Sequence, residues 1–447
     1  MTSFLKKILE NEFAKNVITL VSGTTVAQMI PVLISPILTR IYSPSDFAVL
    51  GMFTSITLIL SEIVSGKFEM AVMNTDDEIE QKKITTLTVT TIIFFSVIFL
   101  ILFALFFDKI PFLQVEGLKK WKYLLVVSIA LIGFSKLLTF LSTKKKKYKT
   151  IAYGKVVRSI SLSIFQLGLY FLKYFGLIVG YLMATIAEIS VLLIKNTNMY
   201  KKLNTKQLVA TLKRHKKFPL FDVPSSLLNI GSIQAPILML PSYFGSVYGG
   251  LYFQAFKVLT MPVSLIGGAV GQVFFEQGSS LKNEPEKFSK LVLDLHKKLV
   301  FSIIPFAIIA FFGQELFGFV FGQEWELSGK YAMIMTPWLF FNFLTSPIAS
   351  IIIIKERQGL GFIFIFFMSL FRLLGLGLGV FYFKDIDITI VLFSVTSAIS
   401  YFVYSSFLIH KFLTIGLKNY WLIILKLVIP TIIGFAIIKF LLFEKIF

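Results

Sequence analysis

Apolar runs of about twenty residues recur from one end of this chain to the other, and about twenty residues is the length a helix needs to cross the hydrocarbon of a bilayer. Inside a bilayer only helices and closed barrels satisfy their own backbone groups. Barrel strands alternate polar and apolar residues. The run FAVLGMFTSITLIL (47–60) and its counterparts do not alternate. Composition agrees, because 15% of the 447 residues are charged, whereas soluble domains carry about 25%. The chain reads as an all-α polytopic membrane protein.

Thirteen spans are predicted: 16–37, 47–71, 84–107, 121–141, 151–172, 175–194, 219–240, 248–275, 299–321, 331–354, 359–383, 388–410 and 420–443. The first twelve make two pseudo-symmetric six-helix bundles, residues 1–200 and 201–411, around a central cavity. Residues 412–447 form an extra C-terminal membrane segment. The basic N-terminus MTSFLKKILENEFAKN lacks a small-residue cleavage site, so it reads as the start of an uncleaved first helix. With that end cytoplasmic, and with the basic stretch 142–158 counted as an inside connection and 108–122 as an outside one, 29 Lys and Arg fall in inside segments, 9 in outside segments and 6 within spans. This is the positive-inside pattern, and KKKK (144–147) is part of it. The net charge of +20 would suggest nucleic acid in a soluble protein. Here the bases sit where topology requires them, and no nucleic-acid partner is expected.

The outer connections are short. The longest, DKIPFLQVEGLKKWK (108–122), is too small for a catalytic domain. KFSKLVLDLHKKL (287–299), on the inside, has the pattern of an amphipathic helix lying on the membrane surface. The sequence also repeats. SPIL (35–38) returns as APIL (235–238), and YSPSDFAVLGMF (42–53) is echoed by YFGSVYGGLYFQ (243–254). Six helices separate the copies, so the halves form a parallel repeat. Charge does not follow it: Lys67 maps onto Gly268 and Lys257 onto Ile56.

Cysteine is absent, which excludes disulfides, thiolate metal sites and cysteine nucleophiles. There is no GxxxxGK[ST] loop and no HExxH. GLGLG (375–379) lies in a span and permits close helix approach. His215, His296 and His410 fall in inside connections and read as solvated. A transporter without cofactor is expected, not an enzyme.

The chemistry then rests on charges within spans, each costing about 2.5–3.5 kcal/mol at the bilayer centre on insertion scales. Lys257 and Arg372 lie near the midplane and Lys136 nearer the inside. Such bases line an aqueous cavity or pair with acids. In a continuous helix over 47–71, Glu62, Glu69 and Ser55 share one face and Lys67 points away. Glu62, Glu69, Glu188 and Asp222 could each carry a coupling proton or sodium ion, or pair with a buried base.

PILTRIYSPSDFAVLGMF, SGKFEMAVM, FPLFDVPSSLLNIGS, FKVLTMPVSLIGGAVGQVFF, FGQEWELSGKYAMIMTPWLFFNFLTSPI and RQGLGFIFIF occur in that order. Together they resemble the bacterial polysaccharide repeat-unit flippases, the Wzx-type or O-antigen translocases of the multidrug/oligosaccharidyl-lipid/polysaccharide exporter superfamily. The resemblance covers about residues 16–410. It implies two six-helix bundles around a cationic cavity in the bacterial inner membrane. It also implies transfer of an undecaprenyl-pyrophosphate-linked oligosaccharide from the cytoplasmic to the periplasmic leaflet, in lipopolysaccharide O-antigen or capsule synthesis alongside other polysaccharide-assembly proteins. Lys67, Lys257, Arg372 and Lys136 would contact the anionic head. Lys67 and Lys257 stand where such flippases often carry Arg, which keeps the charge and loses the bidentate fork. Two rival readings are an ion-coupled multidrug exporter of the same fold and a membrane polysaccharide polymerase or ligase. A purely structural scaffold would leave the midplane charges unexplained.

Overall fold

The computed structural model describes residues 12–197, 199–263, 267–300 and 302–444, and among these all regular structure is helical. Lys6 and Lys7, ahead of the first predicted span, lie outside the described residues. The principal helices are α1 Glu12–Ile41, α2 Pro44–Val64, α3 Phe68–Ala71, α4 Glu78–Phe106, α5 Lys122–Lys144, α6 Tyr148–Gly168 and α7 Tyr174–Ile194. They continue as α8 Thr205–Arg214, α9 Val223–Phe244, α10 Ser246–Pro262, α11 Gly268–Ser280, α12 Pro285–Val300 and α13 Ile303–Phe321. The series ends with α14 Glu326–Ile348, α15 Gln358–Gly377, α16 Ile386–Phe412 and α17 Leu417–Glu444. Every predicted span overlaps helix among the described residues, and eleven described helical segments are long and apolar enough to cross a membrane. α6 is not among the eleven; it carries Lys149, Lys155 and Arg158. The chain groups into two compact units, Met1–Gly250 and Leu251–Phe447.

In the first unit the repeat motif YSPSD builds a corner. Ser43 and Asp46 cap α2 reciprocally: Ser43 Oγ accepts from the Asp46 N–H at 3.2 Å, and Asp46 Oδ2 accepts from the Ser43 N–H at 2.9 Å. Pro44 occupies the first turn, where its missing N–H costs nothing. Asp46 Oδ1 also accepts from the Tyr174 N–H at 3.0 Å, and Tyr42 donates to the Gln166 carbonyl at 2.6 Å. One short motif thus ends α1, starts α2 and ties both to the α6–α7 corner.

The second predicted span is not one helix. α2 stops at Val64, and Gly66 (φ 59°) and Lys67 (φ 59°) both adopt the left-handed conformation before α3 begins. Gly66 takes that conformation without steric cost. The break undoes the common face expected for Glu62 and Glu69, which sit on different helices either side of the turn.

In the second unit GLGLG does what its spacing implies. A Cβ on Gly375 would lie 2.6 Å from Thr396 Oγ1, and one on Gly379 would lie 2.4 Å from Thr389 Cα. Only glycine lets α15 and α16 meet this closely, the way packing is gained where lipid offers no hydrophobic drive. α12 is amphipathic as expected, but its apolar face is covered by protein: Phe288 and Val292 pack with Phe274, Ile348, Ile351 and Ile352. His296 on that helix is buried, not solvated. Its ring nitrogens lie 3.0 Å from the Val292 carbonyl and 3.1 Å from the Leu344 carbonyl.

α17 runs parallel to α12 and α13. Tyr420 meets His296 edge-on, Phe435 stacks on Phe311, and Lys439 donates to the Phe311 carbonyl. Phe312 is a kink in α13 (φ −123°, ψ 21°), so Lys439 satisfies a carbonyl beside the point where the helix is broken. α17 therefore runs in the same direction as α13, and its apolar length is enough to cross a membrane.

Candidate functional site

Six of the eight sequence-predicted site residues lie in the first unit, and five of them converge around the α2–α3 break. Glu62 ends two ion pairs: Lys136 Nζ of α5 lies 2.5 Å from Oε1, and Lys67 pairs with Oε2. Lys136 also donates to Ser61 Oγ at 3.0 Å. Lys67 is near enough to Asp222 and Glu69 to act on both electrostatically. Asp222 comes from a wide π-helical turn, Phe218–Asp222, that packs on α3. Glu69 is 2% exposed, and its Oε2 has no hydrogen-bond partner among the described residues. The left-handed turn makes this arrangement possible, because a straight helix would carry Lys67 away from Glu62.

The sixth, Glu188, is fixed by a residue the sequence reading passed over. Arg158 of α6 donates to Glu188 Oε2 at 2.8 Å, Ser135 donates to the same oxygen at 3.2 Å, and the guanidinium sits 5.6 Å from the Tyr181 ring centroid. Lys155, one turn earlier, adds its charge to the pair. Arg158 was hidden by its position at the end of the basic stretch 142–158, read there as connection. Four bases (Lys67, Lys136, Lys155 and Arg158) face four acids (Glu62, Glu69, Glu188 and Asp222), so this cluster is balanced rather than cationic. A cavity of about 260 Å³ opens beside it, with Lys136 and Arg158 in its wall.

Lys257 and Arg372 lie in the second unit. Lys257 is half-buried on α10. Arg372 on α15 is 0% exposed, and none of its three side-chain nitrogens has a hydrogen-bond partner among the described residues. Its guanidinium lies 4.6 Å from the Tyr401 ring centroid, a cation–π contact worth up to about 2 kcal/mol when desolvated. Tyr401 stacks on Trp338, Trp338 on Phe256 and Phe256 on Tyr252. The guanidinium thus caps an aromatic column through α10, α14 and α16. The sequence signal was present, since Tyr252 and Phe256 are one turn apart. What pairs them with Trp338 and Tyr401 is tertiary.

No cluster of His, Cys, Asp or Glu among the described residues could hold a metal ion. Lys67 and Lys136 are held by one carboxylate, Arg158 by another, and Arg372 by an aromatic face. Such groups can receive an anion in exchange for their present partners.

Comparison with known proteins agrees with this membrane architecture. A model of the family "Polysaccharide biosynthesis protein" matches residues 37–329, well over half the chain. No curated protein matches. Among solved structures the chain is similar to the lipid II flippase MurJ in an inward closed conformation, at TM-score 0.74 and 17% identity, over 95% of this chain and 92% of that one. It is also similar to an inward-facing multidrug resistance MATE family transporter of the MOP superfamily, at TM-score 0.62 and 12% identity, over 92% and 94% of the two chains. A MOP superfamily transporter from Pyrococcus furiosus, described as having a binding pocket of reversed polarity, matches at TM-score 0.61 and 13% identity, over 91% and 97%. At these identities the likeness is one of fold. The chain belongs to the polysaccharide biosynthesis protein family and carries the fold of the MOP superfamily transporters.

Proposed function

We propose that this protein is a flippase that moves an undecaprenyl-pyrophosphate-linked oligosaccharide from the cytoplasmic to the periplasmic leaflet of a bacterial inner membrane by alternating access, in the assembly of a surface polysaccharide such as O-antigen or capsule. One observation carries the reading: a member of a polysaccharide biosynthesis family keeps the guanidinium of Arg372 buried in a membrane helix, against the Tyr401 ring and without a hydrogen-bond partner among the described residues. A buried charge without a partner is costly, and an anionic pyrophosphate would offset that cost when it binds. Lys257, in the same unit, is assigned to that head group as well. Glu62, Glu69, Glu188 and Asp222 are the carboxylates available to carry a coupling ion. The polyprenyl chain stays in lipid throughout.

A second reading, ion-coupled multidrug export, draws on the balanced charge of the first-unit cluster, where acids are as numerous as bases. The purified protein, reconstituted with a fluorescent lipid-linked oligosaccharide, separates the two. Flipping of that lipid, unaffected by cationic drugs, supports the first reading. Drug-dependent proton or sodium release without lipid flipping establishes the second.

A further inference from the structure

The cavity in the first unit lies among four helices, and its polar wall comes from Ser135, Lys136 and Thr139 of α5, Arg158 of α6 and Tyr181 of α7, with Phe140 on the apolar side. At about 260 Å³ it falls just below the roughly 300–1,000 Å³ usual for drug-sized ligands, so it suits one sugar ring and not a whole repeat unit. Its charge is polarised. Glu62 and Glu188 hold the two bases from behind and do not line the cavity, while Lys136 and Arg158 present their remaining donors to it. Lys136 spends two of its three protons on Glu62 and Ser61. Arg158, 29% exposed in its side chain, donates to Glu188 and also engages Tyr181, which still leaves part of its five-donor fork for a ligand.

We propose that this cavity receives a carboxylate-bearing sugar ring, a hexuronate or similar acidic residue, of the transported glycan. The inference rests on the polysaccharide reading above and narrows its substrate. Glu62 and Glu188 already offset part of the charge of Lys136 and Arg158, so the pair matches a single negative charge better than the multiple charge of a pyrophosphate. Ser135 and Thr139 spend their protons on Glu188 and the Ser135 carbonyl, which leaves their hydroxyl oxygens as acceptors for sugar hydroxyls. Phe140 offers a flat apolar wall to the C–H face of a pyranose.

Binding is measured by saturation-transfer NMR titration of the purified full-length protein with methyl glucuronide, methyl glucoside and inorganic pyrophosphate. The carboxylate adds charge-assisted hydrogen bonds, so the glucuronide binds roughly tenfold more tightly than the glucoside. That preference disappears in Thr139→Phe, which fills the cavity without touching a charge, and in the double variant Arg158→Gln with Glu188→Gln, which removes the pair without stranding either member. Equal binding of both glycosides, no saturable glucuronide binding, displacement of glucuronide by pyrophosphate, or a preference that survives both variants each overturns the proposal. Proteoliposome flipping of two lipid-linked oligosaccharides differing by one carboxyl separates this failure from failure of the flippase reading. Flipping without a preference for the acidic glycan rejects the cavity assignment alone, and flipping of neither rejects the parent reading.

Discussion

Replacing Glu62 by alanine strands two lysines at once. The Glu62 side chain is 6% exposed, that of Lys67 14% and that of Lys136 27%, so this is an ion cluster largely withdrawn from solvent. Removing one partner of a buried pair costs about 3–5 kcal/mol, because the remaining charge is left uncompensated. Lys136, more than a quarter exposed, recovers part of its loss from water, as surface pairs do. The expected loss for Glu62→Ala is therefore about 3–4 kcal/mol. If the loss comes from stranded charge, deleting the charges should restore stability. The triple variant Glu62→Leu, Lys67→Met, Lys136→Met should return to within about 1 kcal/mol of the parent, since buried ion clusters are often replaced by apolar groups at little cost. Unfolding of the purified parent, single and triple variants in the same detergent reads both numbers. A Glu62→Ala protein within about 1 kcal/mol of the parent, or a triple variant no better than the single one, refutes the reasoning.

Two further outcomes follow from packing and topology. A Cβ on Gly329 would lie 2.1 Å from the Gly313 carbonyl oxygen, so Gly329→Leu must push α13 and α14 apart at the backbone. It should exceed the usual overpacking cost of about 1–3 kcal/mol and leave no folded protein on size-exclusion chromatography, and a normal monodisperse peak contradicts that. The chain has no cysteine, so single cysteines at Lys418 and Leu441 can be labelled from either side without background. Opposite-side labelling is expected from the parallel course of α17 and α13, and same-side labelling rejects it.

The helices were legible because a bilayer imposes one length and one backbone solution, so span after span could be read from apolar runs alone. The parts that escaped were set by a few local residues or by distant contacts. Gly66 sits in a run that carries no other helix breaker, and a lone glycine there is compatible with a continuous helix. Only its positive φ, shared with Lys67, shows the break that brings Lys67 to Glu62. Arg158 was absorbed into a run of bases that topology already explained, and its role depends on Glu188, thirty positions away. The burial of His296 depends on a carbonyl at Leu344 that no local pattern reports. The basic residues Lys136, Lys257 and Arg372 were visible as charges in apolar runs. What each one touches was not.

The most direct measurement compares the parent with Arg372→Met in proteoliposomes carrying a fluorescent undecaprenyl-pyrophosphate-linked oligosaccharide. Arg372 is fully buried without a hydrogen-bond partner among the described residues, so losing its charge should leave thermal stability unchanged or higher while flipping falls to the protein-free level. Full flipping by a folded Arg372→Met protein, or no flipping by the parent, would contradict the account.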